Sequence, residues 1–293
     1  MSELPPTETA SARSAGLDLL ATPELVELLI ADQRDAAQAV LTQKDAIAGA
    51  VEEIAARLAR GGRLHYVGAG SSGRLGALDA AEMPPTFGTP PDLIRGHIAG
   101  GPAALSRSVE GAEDDAAAGD AVIGATVTSG DAVIGISASG GAAFVVAAID
   151  RARALGAYTL AITSVAQSPL AHAAFAQVIL DTGAEVLTGS TRLKAGTAQK
   201  IALNAISTAV MVRLGKVHDN LMVDVVAGNQ KLRGRALRLV RALANVDGAR
   251  AQELLDAAGG RVKIAIVMER RRLTAVQAQT LLDAHAGSLR AVL

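Results

Sequence analysis

The fold of this chain is decided by residues 64–73, which read LHYVGAGSSG. The first four residues form a short apolar run, which is typical of a strand buried on both faces of a sheet. The glycines and serines that follow favour a tight turn, and residues 75–81 then show the pattern of a helix. Strand, turn and helix in this order predict one repeat of a parallel sheet wound with helices.

Three more strands of the same kind follow along the chain. Each is a short run rich in Val, Ile and Leu, and they cover residues 131–136, 158–162 and 177–180. The predicted fold class is therefore α/β, with a central parallel sheet flanked by helices.

The chain divides into three predicted segments. Residues 1–53 form an N-terminal arm and helices, and residues 54–217 form the domain that carries the sheet. Strand signals stop near residue 218, so residues 218–293 are predicted to form a small all-helical C-terminal domain.

The composition excludes several classes of function. The formal net charge is −1 and aromatic residues make up 2% of the chain, so neither nucleic acid nor a membrane surface is an expected partner. Cysteine is absent and the five histidines are scattered, so we expect no metal site. The first ten residues, MSELPPTETA, are polar and do not resemble a secretory signal, so we expect a cytoplasmic protein.

Two of the predicted strands end in matching loops of glycine and serine. One contains Gly70, Ser71 and Ser72, and the other contains Ser137 and Ser139. Ligands of parallel sheets bind beyond the carboxyl ends of the strands, and glycine turns, hydroxyl donors and helix N-termini suit a phosphate. A dinucleotide is the alternative for the first loop, which fits G-x-G-x-x-G, but no acidic residue ends the second strand to hold a ribose.

A third polar cluster opens the long helix that begins near residue 192. Thr188 and Ser190 are residue types that cap helices, and capping alone explains them. Capping does not explain Lys194, because a cation is disfavoured near a helix N-terminus. An anionic ligand would explain it, so these three residues join the predicted phosphate contacts.

Glu82 stands directly before the most unusual stretch, Met83-Pro84-Pro85. The proline pair predicts that the helix stops there, which would leave Glu82 at a helix end that disfavours a carboxylate. Such a placement raises the pKa of a carboxyl group and suits an acid catalyst, although an exposed Glu at a fraying helix end is the simpler interpretation. A second acidic run, residues 110–115, reads EGAEDD.

Longer motifs run through these stretches, at 70–88, 109–115, 136–141, 185–200, 216–225 and 229–236. Together they resemble the N-acetylmuramic acid 6-phosphate etherase family over residues 20–290. The family belongs to the sugar isomerase (SIS) domain superfamily, which includes the glucokinase regulatory protein. The arm at residues 7–18 departs from the resemblance, because relatives usually carry an Arg-Asn pair there. The motifs that carry the resemblance are GSSGRLGALDAAEMPPTFG at 70–88, VEGAEDD at 109–115, ISASGG at 136–141, EVLTGSTRLKAGTAQK at 185–200, KVHDNLMVDV at 216–225 and NQKLRGRA at 229–236.

The resemblance implies an SIS-type three-layer sandwich and a homodimer that needs no metal or organic cofactor. It implies cleavage of a lactyl ether from an amino sugar phosphate, in the recycling of peptidoglycan. Glu82 matches the position of the family's proton donor, and Glu113 matches its second catalytic position, with Glu110 the neighbour most easily mistaken for it. An aldose–ketose isomerase and a non-catalytic sugar-phosphate regulator remain as alternatives on the same fold.

Overall fold

The computed structural model of the chain describes residues 5–225 and 230–293. Its central feature is a sheet of five parallel strands in the order β2-β1-β3-β4-β5. The strands are β1 (Leu64–Gly68), β2 (Ile94–Ile98), β3 (Ala132–Ile136), β4 (Tyr158–Thr163) and β5 (Ala176–Ile179). Four of the five match the strands predicted from the sequence, and β2 was missed.

The helices before and within the sheet region lie in chain order between these strands. Before the sheet come α1 (Thr22–Asp32), α2 (Arg34–Thr42) and α3 (Lys44–Ala59). Helix α4 (Gly70–Phe87) follows β1, and α5 (Ala116–Gly124) precedes β3. Helix α6 (Ala143–Ala154) follows β3, α7 (Pro169–Ala173) follows β4, and α8 (Lys194–Arg213) follows β5.

Helices cover both faces of the sheet. Val67 and Val133 face one side, where they pack into a core formed with α5, α6 and α7. Tyr66 and Ile136 face the other side, where α4 approaches so closely that a Cβ at Gly76 would lie 2.9 Å from Tyr66. Helix α3 contacts β4 and β5. The predicted α/β class, a parallel sheet between two helical layers, is confirmed.

Two imidazoles stack between the neighbouring strands β1 and β2. His65 Nδ1 lies 2.9 Å from Nε2 of His97, and the two rings are stacked. Burial lowers the pKa of His65 to about 4, with the neighbouring His97 adding to the effect, so the ring is neutral at pH 7. His65 is therefore fully buried without introducing a charge.

Helix α4 does not stop before its proline pair. It continues through Pro84 and Pro85 to Phe87, so the prediction that Glu82 ends the helix was wrong. A proline fixes φ near the helical value, and each of the two costs about 3 kcal/mol through its lost N–H and its clash with the preceding turn. Met83 and Phe87 are each only 4% exposed, and burying such side chains contributes about 1.5–3 kcal/mol apiece. Their burial offsets part of the cost of the prolines.

The chain clusters into two compact units. One comprises the described residues up to Ala80 together with Asp92–Ser207, and the other comprises Ala81–Pro91 together with the described residues from Thr208 onward. The three-part division into residues 1–53, 54–217 and 218–293 stays a prediction.

The second unit is built mainly from helices. A short antiparallel pair, β6 (Val217–His218) and β7 (Leu221–Met222), precedes them. The helices are α9 (Gln230–Ala244), α10 (Gly248–Ala257), α11 (Val262–Arg271), α12 (Ala275–Ala284) and α13 (Leu289–Val292), and they share one apolar core. Within the described parts of the chain, no helix is both long and apolar enough to cross a membrane.

Candidate active site

The two glycine-serine loops leave neighbouring strands at the point where the strand order reverses. Strand β1 pairs with β3 in parallel, with Gly68 opposite Ile136, so the loops that follow them lie side by side at the carboxyl edge. In sheets with this strand order, ligands bind in the crevice between these two loops. The chain leaves β1 for α4 and leaves β3 for α6 here, so both loops end in helix N-termini that favour an anion.

The first loop is built on a close approach of two glycines. A Cβ at Gly68 would lie 2.6 Å from the backbone nitrogen of Gly73, and a Cβ at Gly73 would lie 2.6 Å from the carbonyl oxygen of Gly68. Any side chain at either position would push the helix away from the strand. Gly70 adopts a left-handed φ of 52° and begins α4, so Ser71 and Ser72 occupy its first turn. Backbone N–H groups in a first turn have no partner within their own helix.

The second loop holds its serines in a compact turn. The Oγ atom of Ser137 accepts a hydrogen bond from the backbone N–H of Gly140 at 3.1 Å, and Ser139 Oγ accepts one from Gly141 at 3.2 Å. Each hydroxyl therefore keeps its own hydrogen for donation. Ser137 is buried and Ser139 is exposed, so the loop offers donors at two depths.

Ser72 is tied to the long helix α8. Its hydroxyl donates to Gln199 Oε1 at 2.9 Å, and Ser72 and Gln199 are 8% and 1% exposed. This contact joins residues 127 positions apart. The sequence-based prediction missed Gln199, because only the fold brings α8 against the first turn of α4.

The buried carboxylate of Asp79, two turns further along α4 than Ser72, also connects α4 with α8. Asp79 accepts hydrogen bonds from Tyr66 at 2.8 Å, from Asn204 at 2.6 Å and from Ser207 at 3.1 Å. Burial raises the pKa of Tyr66 well above its usual value, and the Asp79 carboxylate adds to the effect. Tyr66 therefore stays protonated and donates to Asp79. This network holds β1, α4 and α8 together beneath the loops and was also missed.

The third predicted cluster follows β5, and the N-terminal arm lies across it. The backbone N–H of Gly189 donates to the carbonyl of Thr7, and Thr7 is fully buried. Thr188 is exposed and Ser190 is half-buried, so both side chains are accessible. The arm thus contacts the segment that contains them.

Lys194 does not occupy the position predicted for it. Its ammonium group is fully buried, lies 3.1 Å from Asp32 Oδ1 and donates to the carbonyl of Ala184 at 2.9 Å. The anion at the start of α8 is the carboxylate of Glu185, which accepts the backbone N–H groups of Lys194 and Ala195. Protein carboxylates therefore explain both features that the sequence interpretation attributed to an anionic ligand, and we leave Lys194 out of the phosphate contacts.

The two glutamates are exposed. Glu82 lies inside α4, five residues before its end, and Glu113 lies in a short 3-10 turn spanning Ala112–Asp114. The same segment lines a cleft of about 500 Å³ beside α5 and α6, to which Glu110 contributes but Glu113 does not. In the described ranges 5–225 and 230–293, no three acidic or histidine side chains form a cluster that could hold a metal.

Comparison with known proteins first identifies the class. The sequence profile of the SIS domain matches residues 112–209, and that of the glucokinase regulatory protein N-terminal SIS domain matches residues 46–153. A putative phosphosugar isomerase from Bacteroides fragilis superposes with a TM-score of 0.52 at 24% identity, covering 68% of this chain and 95% of that one. This chain therefore contains an SIS fold.

The comparison also identifies the family. An N-acetylmuramic acid 6-phosphate etherase from Trichormus variabilis is 50% identical over 285 residues, covering 97% of this chain and 93% of that protein. The protein of the same name from Serratia proteamaculans is 48% identical over 288 residues, covering 98% and 97%. The chain belongs to the N-acetylmuramic acid 6-phosphate etherase family.

Proposed function

We propose that this protein is an N-acetylmuramic acid 6-phosphate etherase, a carbon–oxygen lyase that releases D-lactate and leaves N-acetylglucosamine 6-phosphate. The observation that carries the proposal is the pair of glycine-serine loops at the point where the strand order reverses, in a chain that belongs to this family. The phosphate contacts in this proposal are Gly70, Ser71, Ser72, Ser137, Ser139, Thr188 and Ser190.

The reaction needs an acid and a base but no redox step. In the ring-opened sugar, a base removes the proton from the carbon beside the aldehyde. The electrons of that C–H bond form a carbon–carbon double bond, the bond from the next carbon to the ether oxygen breaks, and an acid protonates that oxygen. Water then adds to the double bond. We assign the role of the acid to Glu82 and that of the base to Glu113, because this sequence retains both residues within the family motifs.

The proposal predicts that the purified protein releases D-lactate from N-acetylmuramic acid 6-phosphate in the presence of a metal chelator. N-Acetylmuramic acid without the phosphate is the matched control substrate, and it should react far more slowly because the loops hold the phosphate. An enzymatic lactate assay measures both. Folded protein that releases no lactate from the phosphorylated substrate would refute the proposed activity.

We further propose that the protein is a homodimer and that α1 contributes to its interface. Of the five large apolar residues of α1, which the structure describes throughout, none is buried; Val26 is 47% exposed and Ile30 is 67% exposed. An isolated helix of this length is marginal in water, so its apolar side chains need a partner surface. A second copy of the chain supplies one.

The dimer proposal predicts that Ile30→Glu converts the protein to monomers, because a charge at the centre of an apolar interface costs far more than one in water. Size-exclusion chromatography with light scattering measures the mass. Val276→Glu is the matched control, since Val276 is 77% exposed on α12 and lies in the other unit. A wild-type protein that is monomeric at micromolar concentration would contradict the proposal.

A further inference from the structure

Gln199 combines deep burial with an unused hydrogen-bonding group. It is 1% exposed, and its amide oxygen accepts from Ser72, but no group in the described residues 5–225 and 230–293 pairs with Nε2. An amide carries two N–H donors, and burying donors without acceptors costs about 1–3 kcal/mol. Buried polar groups are nearly always paired in folded proteins, so this one calls for an acceptor.

The position of Gln199 indicates which acceptor it serves. Its amide lies within hydrogen-bond distance of Ser72, in the first turn of α4, where backbone N–H groups point toward an anion. The N-terminus of its own helix already has an anion, because the Glu185 carboxylate accepts the N–H groups of Lys194 and Ala195. The unused donors therefore lie beside the first turn of α4.

Each orientation of the amide leaves a donor free, but on a different residue. With the oxygen facing Ser72, both amide hydrogens remain available. With the amide rotated, Nε2 donates to Ser72 Oγ, and the hydroxyl of Ser72 is then free to donate to another group. Either way the pair of Ser72 and Gln199 presents a donor that no other described residue uses.

We propose that Gln199 is a substrate-binding residue, whose amide oxygen is held by the Ser72 hydroxyl and whose Nε2 donates to the phosphate of the sugar. The assignment deepens the proposed function and rests on it for the identity of the sugar. A phosphate oxygen would satisfy the buried donors, and a charged acceptor makes the hydrogen bond stronger than a neutral one. Gln199 thereby discriminates phosphorylated from unphosphorylated sugars.

The experiment measures binding without turnover. Isothermal titration calorimetry compares inorganic phosphate and N-acetylglucosamine 6-phosphate on the full chain and on Gln199→Leu, which removes the donors. Affinity for both ligands should fall about 10- to 100-fold, as expected for a hydrogen bond to a charged group. In the lactate assay the KM should rise while kcat changes much less, because the amide does not touch the reacting atoms.

Two further variants separate binding from structure. Thr197→Val is the matched control, because it also removes a part-buried side-chain hydrogen bond of α8, the one that Thr197 donates to Gln33 at 2.7 Å. This variant should leave the phosphate affinity unchanged. Gln199→Glu should bind phosphate more weakly than the Leu variant at pH 8, where the carboxylate repels the ligand. Below pH 6 it should regain affinity relative to the Leu variant, since a protonated carboxyl donates again.

Folded Gln199→Leu with wild-type phosphate affinity would overturn the proposal. If the Leu variant does not fold, the Glu variant decides, and an affinity that does not recover toward low pH would overturn it as well. The proposed etherase activity is tested separately. If the wild type binds phosphate through Gln199 but releases no lactate, the activity is refuted and the assignment of Gln199 to phosphate binding stands.

Discussion

Glu82→Gln should lower the rate of lactate release by about 10²- to 10⁴-fold while leaving the sugar phosphate bound. An amide cannot deliver a proton to the ether oxygen, and a general acid typically contributes rate factors of this size. Gln has nearly the shape of Glu, and Glu82 is exposed on α4, so the fold and the binding loops should be unaffected. Single-turnover lactate release measures the rate, and calorimetry with the product measures binding.

The same variant separates the roles of the two glutamates. If Glu113 is the base, it still removes the proton beside the aldehyde in Glu82→Gln, and that proton exchanges with solvent although lactate is not expelled. In heavy water, nuclear magnetic resonance should therefore show deuterium entering the substrate with Glu82→Gln. With Glu113→Gln the exchange should be lost together with lactate release.

Glu110→Gln is the matched control for both variants, because it removes an exposed carboxylate from the same acidic run as Glu113. It should keep most of the activity. Full activity in Glu82→Gln would remove Glu82 from the mechanism. Exchange that disappears with Glu82→Gln but persists with Glu113→Gln would reverse the two roles.

The sequence predicted the central strands because each of them is buried on both faces. In β1 and β3 every residue is buried, so a strand appears as a continuous apolar run. Strand β2 lies at the sheet edge and alternates with Arg95 and His97, so it offers no such run and was missed. The other edge strand, β5, was predicted because its residues do form an apolar run, so the run and not the position in the sheet decides whether a strand is recognised.

Local rules were wrong where distant residues decide the outcome. Pro84 and Pro85 predict a helix end, but α4 continues to Phe87, and Met83 and Phe87 are buried along it. The loops could be predicted, because glycine and serine at strand ends carry their chemistry locally. Gln199 could not, because its contact with Ser72 spans 127 positions and leaves no local signal.

The second prediction with a large expected effect concerns the buried ion pair of Lys194. Its partner Asp32 is 162 positions away, which is why the sequence favoured a ligand anion. Asp32→Asn should lower the free energy of unfolding by about 3–5 kcal/mol, because it removes the nearest and only buried carboxylate that compensates the ammonium of Lys194 among the described ion pairs. Urea denaturation followed by circular dichroism measures the change.

Asp35→Asn is the matched control for this loss. The Asp35 carboxylate is 45% exposed, lies 3.9 Å from Lys194 and pairs with Arg13, so its removal should cost less than about 1 kcal/mol. If Asp32→Asn destabilises the protein no more than Asp35→Asn does, the buried ion pair is not the source of stability.

The double variant Asp32→Leu/Lys194→Met tests what the lysine is for. Replacing a buried ion pair by apolar side chains is often neutral or stabilising, so most of the stability lost in Asp32→Asn should return. If Lys194 only anchors α1 to the start of α8, the double variant should bind inorganic phosphate within a few-fold of wild type. A folded double variant whose phosphate affinity falls as far as that of Gln199→Leu would restore Lys194 to the phosphate contacts, because removing one donor to a charged group costs about that much.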